Sequence, residues 1–165
     1  VTVRAVVPTQ STLNLSVSRV QNTTWTNATS MDFGTLTYNS TFGIFTSPYY
    51  YAVDCGVVDT TGSAWTLAHT FSSVASGNAN LNNKINVDFV RQNNSTNGTT
   101  LNEYSLANSG VSFTKAQASG TNSTGWLRVY YGLGTGKGDN TGVTPINSTQ
   151  PGGTYTGSVT ITLAP

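Results

Sequence analysis

Short runs that alternate apolar and polar residues recur along this chain, each broken off by Gly, Asn or Pro, and no stretch keeps a 3.6-residue period. In Thr12-Leu-Asn-Leu-Ser-Val-Ser18, Leu13, Leu15 and Val17 fall on one side and Asn14, Ser16 and Ser18 on the other. That period of two belongs to a strand with one buried face. Further runs at Phe33–Tyr38, Tyr49–Val58, Ala64–Phe71, Ile85–Val90, Val111–Lys115, Trp126–Leu133 and Thr154–Leu163 read the same way. The polar segments Gln21–Ser30, Asn39–Ser47, Ser72–Lys84 and Gln92–Thr100 read as connections. Strands separated by turn clusters predict an all-β antiparallel sandwich or barrel. Its core would be built from Leu13, Leu15 and Val17, with Leu36, Val53, Leu67, Ile85, Val87, Phe89, Leu127, Val129, Val159 and Ile161.

The 165 residues suffice for one domain with a sizeable core. Only 8% of them are charged, against roughly 25% in an average soluble protein. The surface must therefore be covered by Thr, Ser, Asn and Gly, as in secreted β proteins. Seven basic residues are scattered and the net charge is +1, so no basic patch for nucleic acid or an anionic membrane can be drawn. No run is long and apolar enough for a membrane-spanning helix. So few ionisable groups also imply weak dependence of stability on pH.

The first eight residues alternate as well. Val1, Val3, Ala5 and Val7 lie against Thr2, Arg4 and Val6, and Pro8 ends the run. A strand in this place either pairs within its own domain or lies in another molecule. The expectation is donation to the neighbouring subunit of a filament, with residues 1–8 as the donor strand and 9–165 as a single sandwich domain. Val1 reads as a mature N-terminus left after processing.

Chemistry-bearing residues are sparse. His69, the one histidine, sits among aromatics with no carboxylate or thiol near it in sequence, and reads as a packed imidazole rather than a catalyst. The six carboxylates are dispersed; Asp54 and Asp88 are expected to face away from the apolar side of their strands. Gly134-Thr-Gly-Lys137 lacks the spacing of a phosphate loop, and Asp139-Asn140 offers too few oxygens for calcium. Cys55 is the single cysteine, so it forms no intrachain disulfide; it reads as a small buried hydrophobe, with a reactive or intermolecular thiol as the other reading. No cofactor and no enzymatic activity are expected. Asn-x-Ser/Thr occurs at Asn14, Asn22, Asn27, Asn39, Asn93, Asn94, Asn97, Asn122 and Asn147. A chain this rich in Asn, Ser and Thr makes some of these by chance. Asn14 falls on a polar strand face and the others in predicted loops, where N-glycans can be carried.

Phe33-Gly-Thr-Leu36, Val53-Asp-Cys55, Leu127-Arg-Val-Tyr-Tyr131, Val143-Thr-Pro-Ile146 and Gln150-Pro-Gly-Gly-Thr-Tyr-Thr-Gly-Ser-Val-Thr-Ile-Thr-Leu163 follow one another in that order. The series resembles the archaic chaperone–usher pilins and spore-coat-U-like domains. That resemblance implies an immunoglobulin-like sandwich lacking one strand, completed by the N-terminal extension of the next subunit. Val1, Val3, Ala5 and Val7 would then be the inward-facing donor residues, and Val159 and Ile161 the edge of the acceptor groove. Those pilins usually carry a disulfide and fewer sequons; both departures bring the chain nearer to archaeal surface threads. The function implied is a structural subunit of an extracellular, cell-surface filament that polymerises with itself, bears N-glycans and serves adhesion, biofilm or cell contact. A monomeric secreted carbohydrate-binding sandwich, using Trp25, Trp65, Trp126 and Tyr49-Tyr-Tyr51 to stack on sugars, is the alternative.

Overall fold

A computed structural model describes residues 4–6, 8, 10–92, 98–119 and 126–164. In chain order the elements are β1 (Ser11–Gln21), β2 (Thr24–Ala28), β3 (Thr37–Asn39), β4 (Ile44–Thr46), β5 (Tyr50–Asp59), β6 (Thr66–Phe71), β7 (Ala75–Ser76) and β8 (Ala79–Asn80). There follow β9 (Ile85–Gln92), β10 (Thr99–Ser105), β11 (Val111–Thr114), the one-turn helix α1 (Lys115–Ser119), β12 (Trp126–Leu133), β13 (Ile146–Asn147) and β14 (Val159–Ala164). All strand pairs are antiparallel. The expected all-β class is what the chain adopts.

Two layers enclose the core. The larger sheet has six strands in the order β10-β9-β12-β5-β1-β2, and the smaller has three, β11-β6-β14. Inward residues follow from the pleat. Val53 and Cys55 of β5, Val87 and Phe89 of β9, and Leu127 and Val129 of β12 meet Leu67 of β6 and Phe113 of β11. The short sheet β13-β4-β3 and the two-rung hairpin β7–β8 close one end, contributing buried Ile44 and Ile146.

The sequence reading needs correction at several places. Gln21–Ser30 is a hairpin rather than a loop: Gln21 pairs with Thr24 and Val17 with Ala28. Asn22 takes the turn at φ 54°, a left-handed conformation that Asn tolerates better than most residues. The strand expected at Phe33–Tyr38 is irregular through Leu36 and begins at Thr37. The connection after Asn39 contains β4, and the closing strand starts at Val159 rather than Thr154. β10 went unread because Thr99-Thr-Leu-Asn-Glu-Tyr-Ser105 lies at a sheet edge, where polar residues are tolerated on both faces.

Candidate functional site

Leu15 breaks the burial pattern of its strand. It lies opposite Cys55 on the inward face, and Cys55 is fully buried while Leu15 is 49% exposed. The expectation that Leu15 belongs to the core is therefore wrong as it stands, for a plain reason. The larger sheet is six strands wide and the smaller only three, so among the described residues no strand covers β1 beyond β14. Its neighbours Leu13 and Val17 are only half-buried.

β14 is the edge of the smaller sheet, paired with β6 and no other strand among the described residues. The Ser72 N–H donates to the Ser158 carbonyl at 2.8 Å, so residue 158 turns its carbonyl toward β6. Backbone groups alternate along a strand. Residues 160 and 162 therefore bond β6, while Val159, Ile161 and Leu163 present their N–H and C=O to the open side. Their side chains are half-buried and packed on the core. Val159 and Ile161, the residues named as a groove edge, thus lie on an unpaired strand edge.

At the Val159 end of β14 lies a cavity of about 780 Å³. Its walls are the irregular stretches Met31–Leu36 and Gln150–Ser158, and Leu81, Tyr131 and Ile146 contribute to its lining. Both stretches are tied down locally. Tyr51 donates its hydroxyl proton to the Asp32 carbonyl, Ser47 bonds the Phe33 carbonyl at 2.9 Å, and the Tyr155 hydroxyl reaches the Pro151 carbonyl at 2.6 Å. Phe33-Gly-Thr-Leu36 and Pro151-Gly-Gly-Thr-Tyr155, far apart in sequence, face each other across this space. Met31, Leu81 and Ile146 were not legible as site residues, because no local pattern marks a residue that lines a cavity.

The cavity and the start of β1 lie at opposite poles. Ser11 pairs with Asp59 at the start of β1, where the Gln10 N–H bonds the Thr60 hydroxyl at 2.8 Å and the Thr60 N–H bonds the Gln10 carbonyl at 2.9 Å. The cavity is at the other end, with Leu133 opposite Ile85 and Val159 opposite Phe71. Of the proposed donor residues, Val1, Val3 and Val7 lie outside the described residues. Ala5 is exposed, and the adjacent Val6 is 73% exposed.

Comparison with family models, with curated proteins and with solved structures finds no match to this chain.

The sequons are dispersed. Asn14 is exposed on β1, Asn22 at the hairpin turn, Asn27 on β2 and Asn147 on β13, and Asn39 is half-buried at the end of β3. Asn27, Asn39 and Asn147 therefore sit in strands, not in the loops expected. Asn93, Asn94, Asn97 and Asn122 lie outside the described residues. At Asn147 the Thr149 N–H and hydroxyl both bond the side-chain carbonyl, at 3.1 and 2.6 Å; this occupies the oxygen and leaves the amide nitrogen turned to other partners.

Other chemistry-bearing groups are absorbed by packing. His69 is 2% exposed; its Nδ1–H donates to the Ser109 carbonyl at 2.6 Å and its Nε2 accepts from the Tyr131 hydroxyl at 2.8 Å. Burial lowers its pKa. Burial, with the Asp54 charge adding, pushes the Cys55 thiol up to about 12, so it is held as the neutral thiol. Asp54 faces outward and is clasped by Arg128 at 2.6 and 2.9 Å. The carboxylate of Asp139 accepts from the N–H groups of Thr135 and Gly136 and serves its own turn. Among the described residues no group of three His, Cys, Asp or Glu side chains is placed to hold a metal, and no helix is long and apolar enough to cross a membrane.

Proposed function

We propose that this chain is a structural subunit of an extracellular filament, joined head to tail by strands passed between subunits. The observation that carries the reading is Leu15, an inward-facing leucine left half exposed beside the unpaired edge of β14. One more strand along that edge would cover it and complete an immunoglobulin-like sandwich. Residues 1–8 have the right pattern for such a strand and are of sufficient length. At about 3.3 Å per residue they span on the order of 25 Å, slightly more than the six residues of β14.

Polarity follows from the two poles. A neighbour whose tail pole rests on the cavity pole inserts Val1 deepest and keeps Pro8 near the cavity. β14 runs from the cavity pole toward the tail pole, so the inserted strand is antiparallel to it. Such an addition supplies main-chain hydrogen bonds along the edge and pockets for Val1, Val3, Ala5 and Val7. Burying each of the three valines contributes roughly 1.5–3 kcal/mol. A head-to-tail contact that does not close on itself generates a fibre. The exposed sequons fit N-glycans on its surface, and an extracellular role in adhesion, biofilm or cell contact fits a surface with so few charges.

Deleting residues 1–8 removes the donor and leaves the β1–β5 ladder, which begins at Ser11, untouched. Electron microscopy and light scattering should then show folded monomers and no filaments. Filaments from the truncated chain would refute the scheme. The carbohydrate-binding monomer is less well supported, since Trp65 is buried and Trp126 half-buried, leaving Trp25 as the one indole open to a ligand.

A further inference from the structure

The outer face of the six-stranded sheet is not an ordinary polar surface. Val20 and Ala52 point outward, opposite Tyr50 and Tyr130 in their ladders, yet they are 0% and 1% exposed. They are roofed by aromatic rings. Trp25 and Tyr130 lie 6.5 Å apart at 69°, and Tyr50 and Tyr130 lie 6.2 Å apart at 54°. The Arg128 guanidinium stands 4.7 Å from the centre of the Trp25 ring while clasping Asp54. The roof itself stays wet, with Trp25 44% and Tyr50 37% exposed.

Asn27 lies two residues from Trp25 on β2. Its partner Ser18 and the Trp25 partner Val20 share the outward face, so Asn27 and Trp25 project on the same side, roughly 7 Å apart along the strand. Thr29 completes the sequon. None of Asn14, Asn22, Asn39 and Asn147 has an aromatic residue two positions away. We propose that the Trp25–Tyr130–Tyr50 shelf seats the first sugars of a glycan carried by Asn27. A pyranose has an apolar C–H face and a rim of hydroxyls. The exposed indole receives the first as it would any apolar surface, and the clasped Asp54–Arg128 pair, 29% and 20% exposed, offers an acceptor and donors to the second. The glycan would hold down a roof that otherwise leaves large aromatic surface in water.

This rests on the N-glycosylation part of the reading above and not on strand exchange. The test uses native glycosylated protein beside Thr29→Ala, which abolishes the sequon and keeps both Asn27 and the shelf; Asn27→Gln is the second variant. Mass spectrometry of the peptide spanning Trp25–Thr29 should find sugar on Asn27. Both variants should raise the quenching of tryptophan fluorescence by acrylamide, because Trp65 is buried, Trp126 is half-buried and away from the shelf, and the change reports chiefly on Trp25, and should lower Tm by about 2–4 °C. Sugar on Asn27 with quenching and Tm unchanged in the variants would overturn the seat while leaving the glycosylation reading intact. Sugar on other sequons and none on Asn27 would do the same. Bare sequons throughout would remove both readings, and the tail deletion would still test the filament separately. Binding of free oligosaccharide to the unglycosylated protein at Trp25 would also overturn the proposal, making the shelf a site for an external ligand.

Discussion

His69 is held in the core between the Ser109 carbonyl, which accepts from Nδ1–H, and the Tyr131 hydroxyl at Nε2, and burial there disfavours the charged ring. Its pKa is lowered by burial from an ordinary value of about 6.5. Between those two values the unfolded chain carries a proton that the folded chain refuses. The contribution of His69 to stability is thus complete above about pH 6.5 and declines as pH falls, with a slope of at most about 1.4 kcal/mol per pH unit. Urea unfolding between pH 8 and pH 4 should show that decline, and His69→Gln should flatten it at some cost in stability at neutral pH. Asp59 acts further down. Hydrogen bonds from Lys115, the larger influence, and from Thr61 hold its carboxyl to about 2, so its stabilisation is present above about pH 4 and is lost toward pH 2.

At the scale of elements, β14 divides its backbone between two duties. Thr160 and Thr162 bond β6, and Val159, Ile161 and Leu163 face the open edge. Ile161→Pro therefore deletes an N–H that no other strand among the described residues uses, and proline is tolerated on an edge strand for that reason. Ile161→Ala removes the side chain and keeps the N–H. Thermal unfolding should find the two variants destabilised to similar degrees, whereas filament assembly should fail in the proline variant alone. Equal assembly by both would mean that no strand pairs along this edge. The same element shows how far sequence patterns reach. Alternation identified β1, β5, β6, β9, β12 and β14 and the face each buries, because the pleat forces a period of two. It put Leu15 with Leu13 and Val17, since a period of two tells the side a residue faces and not whether a second layer stands opposite. Phe33–Leu36 has strand-forming residues and lines a cavity without pairing. Thr24-Trp-Thr-Asn-Ala28 looked like a loop because an outermost strand can afford polar residues on both faces. That Val159 and Ile161 lie on the edge strand of the smaller sheet was not legible from alternation, and the cavity wall at Met31, Leu81 and Ile146 was not legible at all.

For the molecule as a whole, an unfilled groove is a reservoir of stability. A peptide with the sequence of residues 1–8 added to the truncated chain should raise its Tm with concentration, by about 2.7 kcal/mol of stabilisation at a hundredfold excess over Kd. A version with Val3 and Ala5 replaced by Asp should have no effect, since each charge would enter an apolar groove without a partner. Calorimetry across a peptide titration distinguishes the two. The chain enters β1 at the pole opposite the cavity, which has a consequence for any polymer that strand exchange would build. Every joint consumes one tail and one groove, so a filament of any length keeps one unfilled groove and one unused tail. The energetic penalty of its two ends is fixed. Dividing the same protein among many short fibres multiplies that penalty, and a population free to exchange subunits drifts toward few, long ones whose two tips remain chemically unlike.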